Sequence, residues 1–158
     1  MKETKINIYR DLYKSKDVPY TLTLENTLER IKKGKSKDKI ELLRSGNKSS
    51  KVELPCIMFS GLFSNRSKSG LVEHSGMMIT DFDKYPDEKT MMSELKKLKK
   101  NKHFISLFIS PSGNGIKGVV KIPKCDKIEH PKYFAAFQEE FQFNYFDIAN
   151  SNVDRVCF

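Results

Sequence analysis

Apolar positions along this chain recur in two rhythms, and the rhythm sorts its segments into helices and strands. Leu24, Leu28 and Ile31 fall at helical spacing behind Thr23, a good cap, and Gly34 ends the run, so a helix is expected there. Asp38 to Arg44, with Ile40 and Leu43, reads as a second helix stopped by Ser45 and Gly46. Met91, Leu95 and Leu98 mark a third from about Asp87 to Lys100, whose late lysines complement the helix dipole. Tyr133, Phe134, Phe137 and Phe141 mark a fourth from His130 to Asn144, with the aromatic side chains as buried surface. Short apolar runs without that spacing read as strands: Ile6 to Tyr9, Pro55 to Phe59, Met77 to Ile79, Phe104 to Ile109 and Ile116 to Ile122, with a last one beginning near Arg155. Gly61 to Gly70, rich in serine, glycine and cations, reads as a loop, and Ser110 to Gly115 as a turn.

From residue 71 onward the order is strand, helix, strand, strand, helix, strand. That order predicts an α+β fold, a ferredoxin-like or RRM-like βαββαβ palm. Its antiparallel sheet carries the helices on one face, because a right-handed crossover leaves a gap for the third strand to fill. Residues 1–70 form an N-terminal α/β extension, and one domain is expected over 1–158. The chain closes where a strand opens, at Asp154-Arg-Val-Cys-Phe158, which suggests the front part of a longer protein.

Composition changes this picture in two ways. The 29 Lys and Arg outnumber 20 Asp and Glu, a net charge of +9, which favours a polyanionic partner or a phosphorylated substrate. Cys56, Cys125 and Cys157 are odd in number and widely spaced, with no Cys-x-x-Cys and no histidine at zinc spacing, so they read as reduced thiols. The charged start Met-Lys-Glu-Thr-Lys is unlike a signal peptide, and no apolar run approaches the roughly 18 residues of a membrane span. A cytoplasmic protein with no membrane partner is expected. His74 reads as a structural hydrogen-bonder, and His103 and His130, at element starts, as capping or exposed.

The candidate chemistry centres on Ser75-Gly-Met-Met-Ile-Thr-Asp-Phe-Asp83. Period-2 geometry turns Asp81 and Asp83 the same way at a strand end, where two carboxylates repel unless a hard cation such as Mg²⁺ or Mn²⁺ sits between them. A solvated turn is the competing reading. Ser110-Pro-Ser-Gly-Asn-Gly-Ile-Lys117 offers unobstructed backbone N–H groups, the hydroxyls of Ser110 and Ser112, and an ammonium, which together suit a phosphate tail. A hairpin turn would also want Gly113 and Gly115. In the βαββαβ order Asp81, Asp83, Ser112, Lys117, Asp147 and Arg155 gather at one edge of the sheet. Asp147 is preferred over Asp154 as a third metal oxygen, while Arg155 either holds a phosphate or answers the acids as a counter-charge. Three carboxylates, divalent ions and a triphosphate cradle are the parts of a nucleotidyl transferase, and a basic surface would hold a template. A nucleotide cyclase would use the same parts without a template, and a non-catalytic nucleic-acid-binding replication initiator or adaptor module would use the fold alone.

These motifs, with Leu22-Thr-Leu-Glu, Leu54-Pro-Cys-Ile-Met-Phe-Ser-Gly-Leu-Phe and Arg66 upstream, resemble primase–polymerases of the archaeo-eukaryotic primase superfamily. More narrowly, they resemble the VirE N-terminal-type domains at the front of phage and mobile-element replication proteins. The resemblance implies a metal pair on Asp81 and Asp83 with Asp147 as third acid, and nucleotide contacts around Ser112 and Lys117, where most of that superfamily has a histidine. The expected partners are nucleoside triphosphates and a single-stranded or primed nucleic-acid template, with Arg66 and Lys68 as template contacts, and a helicase or accessory domain further on.

Overall fold

The computed structural model describes residues 3–13 and 18–158; Met1 and Lys2 of the charged start lie outside the described residues. Strand β1 (Lys5–Tyr9) is the centre of a small antiparallel sheet, flanked by β2 (Tyr20–Thr23) and β3 (Cys56–Met58). Helix α1 (Leu24–Lys32) follows β2 directly, and the Thr23 hydroxyl accepts from Asn26 N–H at 3.0 Å, as a cap should. Helix α2 (Lys37–Arg44) comes next. The expected loop at 61–70 is in part a hairpin: β4 (Gly61–Phe63) pairs with β5 (Leu71–His74) around a short 3-10 turn.

The second half follows the expected order closely. Strand β6 (Met77–Phe82) leads into α3 (Glu88–Leu98), capped by the Asp87 carboxylate on Thr90 N–H at 2.7 Å. Strands β7 (Phe104–Ile109) and β8 (Ile116–Lys121) and helix α4 (His130–Phe141) complete it. The sheet order is β6-β8-β7, with β8 antiparallel to both neighbours, so the third strand of the unit fills the gap left by the crossover. The α+β class stands.

The place of a fourth strand is taken differently. Phe146 makes an isolated antiparallel bridge with Phe82 beside β6, and the chain then leaves this sheet so that Cys157 bridges Ile57 of β3. The last residues therefore stitch the C-terminal half to the N-terminal sheet. Ile57 and Cys157 exchange both backbone hydrogen bonds, at 2.7 and 2.8 Å.

The β6-β8-β7 sheet is covered on both faces. Met78, Phe82, Ile116 and Val120 pack with α3 and α4 through Leu95, Leu98, Phe134 and Phe137. Alternate residues Met77, Ile79 and Val119 pack with Ile6, Ile8, Ile57 and Phe59 of the N-terminal layer. Double coverage explains why Met77 to Ile79 is continuously apolar instead of alternating. Asp81 continues the second set, so its side chain faces the N-terminal layer and not the helices. No helix among the described residues is long and apolar enough to cross a membrane.

Two histidine expectations are corrected by packing. His130 is 1% exposed and His74 5%, and their ring nitrogens approach each other at 2.9 Å. Position at a helix start does not expose a side chain when the preceding loop folds over it. His103 is half-buried against the rings of Phe137 and Phe141.

Candidate functional site

Asp81 and Lys117 are direct partners in the β6–β8 register, on the face turned toward the N-terminal layer. Their side chains are only 14% and 12% exposed, and the Lys117 ammonium donates to Asp81 Oδ1 in a close ion pair. Burial works against the Lys117 ammonium, but attraction to Cys157, in the thiolate form it takes only at high pH, and to the Asp81 carboxylate outweighs it and the net shift is upward. Burial also pushes Cys157 up to about 12, so near neutral pH it is an uncharged thiol and the counter-charge of Lys117 is Asp81.

Asp147 reaches the same place through the backbone. Its N–H donates to the Asp81 carbonyl at 2.9 Å, and Asp83 N–H donates to the Tyr145 carbonyl at 3.0 Å, so the stretch 145–147 lies against the end of β6. The Asp147 carboxylate caps a 3-10 turn over Ile148–Asn150, accepting from Ala149 N–H at 3.1 Å. The buried Asn150 side chain then lies between the two acids: its Nδ2 donates to Asp147 Oδ2 in a close contact and to Asp81 Oδ2 at 3.4 Å. Arg155 approaches the same Asp81 oxygen at 3.8 Å, from an exposed position. Asp81, Asp147, Lys117 and Arg155 thus form one cluster. Asp83, half-buried just past β6, makes no side-chain hydrogen bond or ion pair to it among the described residues.

The Ser110–Gly115 turn adjoins this cluster at the end of the β7–β8 hairpin. Ser110 N–H donates to the Gly115 carbonyl at 2.8 Å, Gly113 N–H to the Ser110 carbonyl at 2.9 Å, and the Ser110 and Ser112 hydroxyls are 3.1 Å apart. Gly113 has φ +83°, which a side chain would strain, and a Cβ on Gly115 would lie 2.8 Å from the Phe82 carbonyl. Both glycines are therefore explained by the turn and by its close approach to β6.

One contributor escaped the sequence reading. Arg44, at the end of α2, donates through Nε to the Pro111 carbonyl at 3.1 Å and through a terminal nitrogen to the Ser110 carbonyl at 3.3 Å. In sequence it is only the last residue of a helix, and only the fold brings α2 to the turn. We expect Arg44→Ala to cost about 1–2 kcal/mol for its two hydrogen bonds and to speed hydrogen exchange at the Gly113 amide. Unchanged exchange there would mean that the turn holds itself.

Arg66 and Lys68 lie elsewhere. The Arg66 guanidinium donates to the Leu12 carbonyl at 2.6 Å and the Asp11 carbonyl at 3.5 Å, and lies over the Tyr9 ring at 5.9 Å. That geometry ties β4–β5 to the end of β1. Lys68 is exposed in the 3-10 turn between β4 and β5.

The family model of the BT4734-like N-terminal domain matches residues 49–158, which include the whole of this cluster. No curated protein and no solved structure matches the chain. The match corrects the resemblance to VirE N-terminal-type domains and primase–polymerases: those motifs were short and apolar or glycine-rich, of a kind that recurs at many strand ends and turns, whereas the family match spans most of the chain. By that match, the chain belongs to the BT4734-like N-terminal domain family.

Proposed function

We propose that the chain is a nucleotidyl-transfer domain that takes a nucleoside triphosphate and a single-stranded or primed nucleic-acid template. The observation that carries this reading is the meeting of Asp81 with Asp147, from segments more than sixty residues apart, around the single amide nitrogen of Asn150. An amide donor stands there in the position between two carboxylates that a hard cation prefers, and two carboxylates plus substrate phosphates suffice for Mg²⁺. Asp81 and Asp147 would hold Mg²⁺ or Mn²⁺, which would neutralise developing phosphate charge and lower the pKa of an attacking hydroxyl.

The chain's own groups do the rest. Lys117 and Arg155 supply fixed positive charge beside the acids, where a triphosphate needs it. The Ser110 and Ser112 hydroxyls, on the turn that Gly113 and Gly115 shape, form the neighbouring rim, where hydroxyl donors suit phosphate oxygens. The net charge of +9 favours a template along the surface. Free thiols at Cys56, Cys125 and Cys157 go with a reducing, cytoplasmic setting.

Extension of a labelled primer on a single-stranded template, with Mn²⁺ and either ribo- or deoxyribonucleotides, tests this directly. Asp147→Asn should lower incorporation by about 100-fold or more while leaving the far-ultraviolet circular dichroism unchanged. Undiminished product from this variant would sink the assignment.

A second reading follows from the pairing of Asp81 with Lys117 and Arg155, which answers its charge within the protein. On that reading the chain is a non-catalytic nucleic-acid-binding initiator or adaptor. It requires binding that weakens steeply with salt, persists in chelator and is accompanied by no incorporation.

A further inference from the structure

The end of β6 remote from Asp81 carries a second cluster that the nucleotidyl-transfer reading does not use. His74 closes β5, Cys125 lies in the connection after β8, and His130 opens α4. Three separate segments thus turn one metal-ligating side chain each toward a common point. His74 Nε2 lies 2.9 Å from His130 Nδ1 and 3.6 Å from Cys125 Sγ, and the three ligand atoms all fall within 4.8 Å of one another. Among the described residues no other group of three His, Cys, Asp or Glu side chains converges in this way.

We propose that His74, Cys125 and His130 bind one Zn²⁺ ion. Zinc–nitrogen distances of about 2.0–2.1 Å and a zinc–sulfur distance of about 2.3 Å, in a tetrahedron, put neighbouring ligand atoms about 3.3–3.6 Å apart. The separation of Cys125 Sγ from His74 Nε2 already has that value, the Cys125 sulfur lies within 4.8 Å of the His130 ligand atom, and the two imidazoles need to part by only a few tenths of an ångström. A hydrogen bond between two neutral rings accounts for the histidine pair, but not for a thiol directed at the same nitrogen. One thiolate and two imidazoles select zinc over the hard ions proposed for the Asp81 cluster. Both histidines are buried and held by packing, while half-buried Cys125 leaves an approach from solvent and a fourth position for water.

The protons balance as follows. Gly76 N–H donates to His74 Nδ1 at 2.9 Å, which keeps the ring proton on Nε2 in the metal-free form. Coordination through Nε2 moves that proton to Nδ1 at the expense of the Gly76 bond, and the Cys125 thiol releases its proton to solvent. Two hydrogen bonds, this one and the one between the two imidazoles, are a small loss against a three-ligand zinc site. The ion would clamp the β5–β6 junction, the β8–α4 connection and the start of α4 together.

Titrating chelator-stripped protein with Zn²⁺ alone, against a chromophoric competitor, should give one equivalent bound per chain. Co²⁺ in its place should show tetrahedral visible bands and a thiolate charge-transfer band. Cys125→Ser, at a half-exposed loop position, should abolish the charge-transfer band and weaken Zn²⁺ binding by at least about 100-fold. Zn²⁺ should also raise the melting temperature of the wild-type chain and not that of the variant. Absence of stoichiometric binding by the wild-type chain, or a charge-transfer band that survives in Cys125→Ser, overturns the site. Neither outcome bears on incorporation at the Asp81 cluster, which lies at the opposite end of β6.

Discussion

Asp81→Leu should destabilise the protein by about 3–5 kcal/mol, because it leaves the Lys117 ammonium 12% exposed with its carboxylate removed. Lys117→Met should cost less, about 1–3 kcal/mol. The asymmetry comes from the remaining partners. Asp81 without Lys117 still has Arg155 at 3.8 Å and the Asn150 amide at 3.4 Å, whereas Lys117 without Asp81 has beside it, among the charged and titratable groups of the described residues, the neutral thiol of Cys157 and the like charge of Arg155. The double variant should recover most of the loss, since an apolar pair of similar volume avoids burying either charge. Arg155 is exposed and loses little when its partner goes. Urea midpoints at unchanged m-value measure all three. If Lys117→Met proves as damaging as Asp81→Leu, Arg155 and Asn150 do not compensate Asp81 as the geometry requires.

The juxtaposition behind that prediction was partly legible before any coordinates. Strand order and the crossover rule alone bring Asp147 and the Ser110 turn to the Asp81 edge, and helical spacing located α1, α2, α3 and α4, with the α1 cap at Thr23. The short apolar run Met77 to Ile79 signalled a strand, without saying that both its faces are covered or by what. The rest depends on contacts that have no local pattern. β2 is a four-residue strand with no fully buried residue, and β4 and β5 have three and four residues, too short for a period to appear. The fourth strand was expected from apolar residues near Arg155; Val153 and Cys157 are indeed buried, but against β3 and its neighbours. Arg44 acts on a turn sixty-six residues away, and nothing near it in sequence announces that. The burial of Lys117 follows from the same cause: the N-terminal layer that covers it is distant in the chain.

The chelator-treated protein should lose stability as the pH falls from 6.5 toward 4, by about 3 kcal/mol in total from His130. Burial, and then the nearby His74, push His130 down to about 4 from an ordinary value of 6.5, and His74 is lowered as well, by burial and then by Lys124. The groups facing the pair also include Cys125, which burial and then Glu129 and Asp126 push up to about 11, so it remains a neutral thiol throughout this range. Above pH 6.5 both folded and unfolded chains carry His130 neutral, and its contribution is fully present. As the pH drops below 6.5 the unfolded chain takes up a proton that the folded chain refuses, and the balance moves toward unfolding. Below about 4 both forms are charged and this loss is complete. Most carboxylates titrate lower, so the part of the decline between pH 6.5 and 5 isolates the histidines. Urea midpoints over that interval should fall more steeply for the wild-type chain than for His130→Gln, in which His74 alone of the pair still resists protonation. Parallel declines in the two proteins would show that His130 already carries its proton in the folded state, contrary to a ring sealed between α4 and the β5–β6 junction.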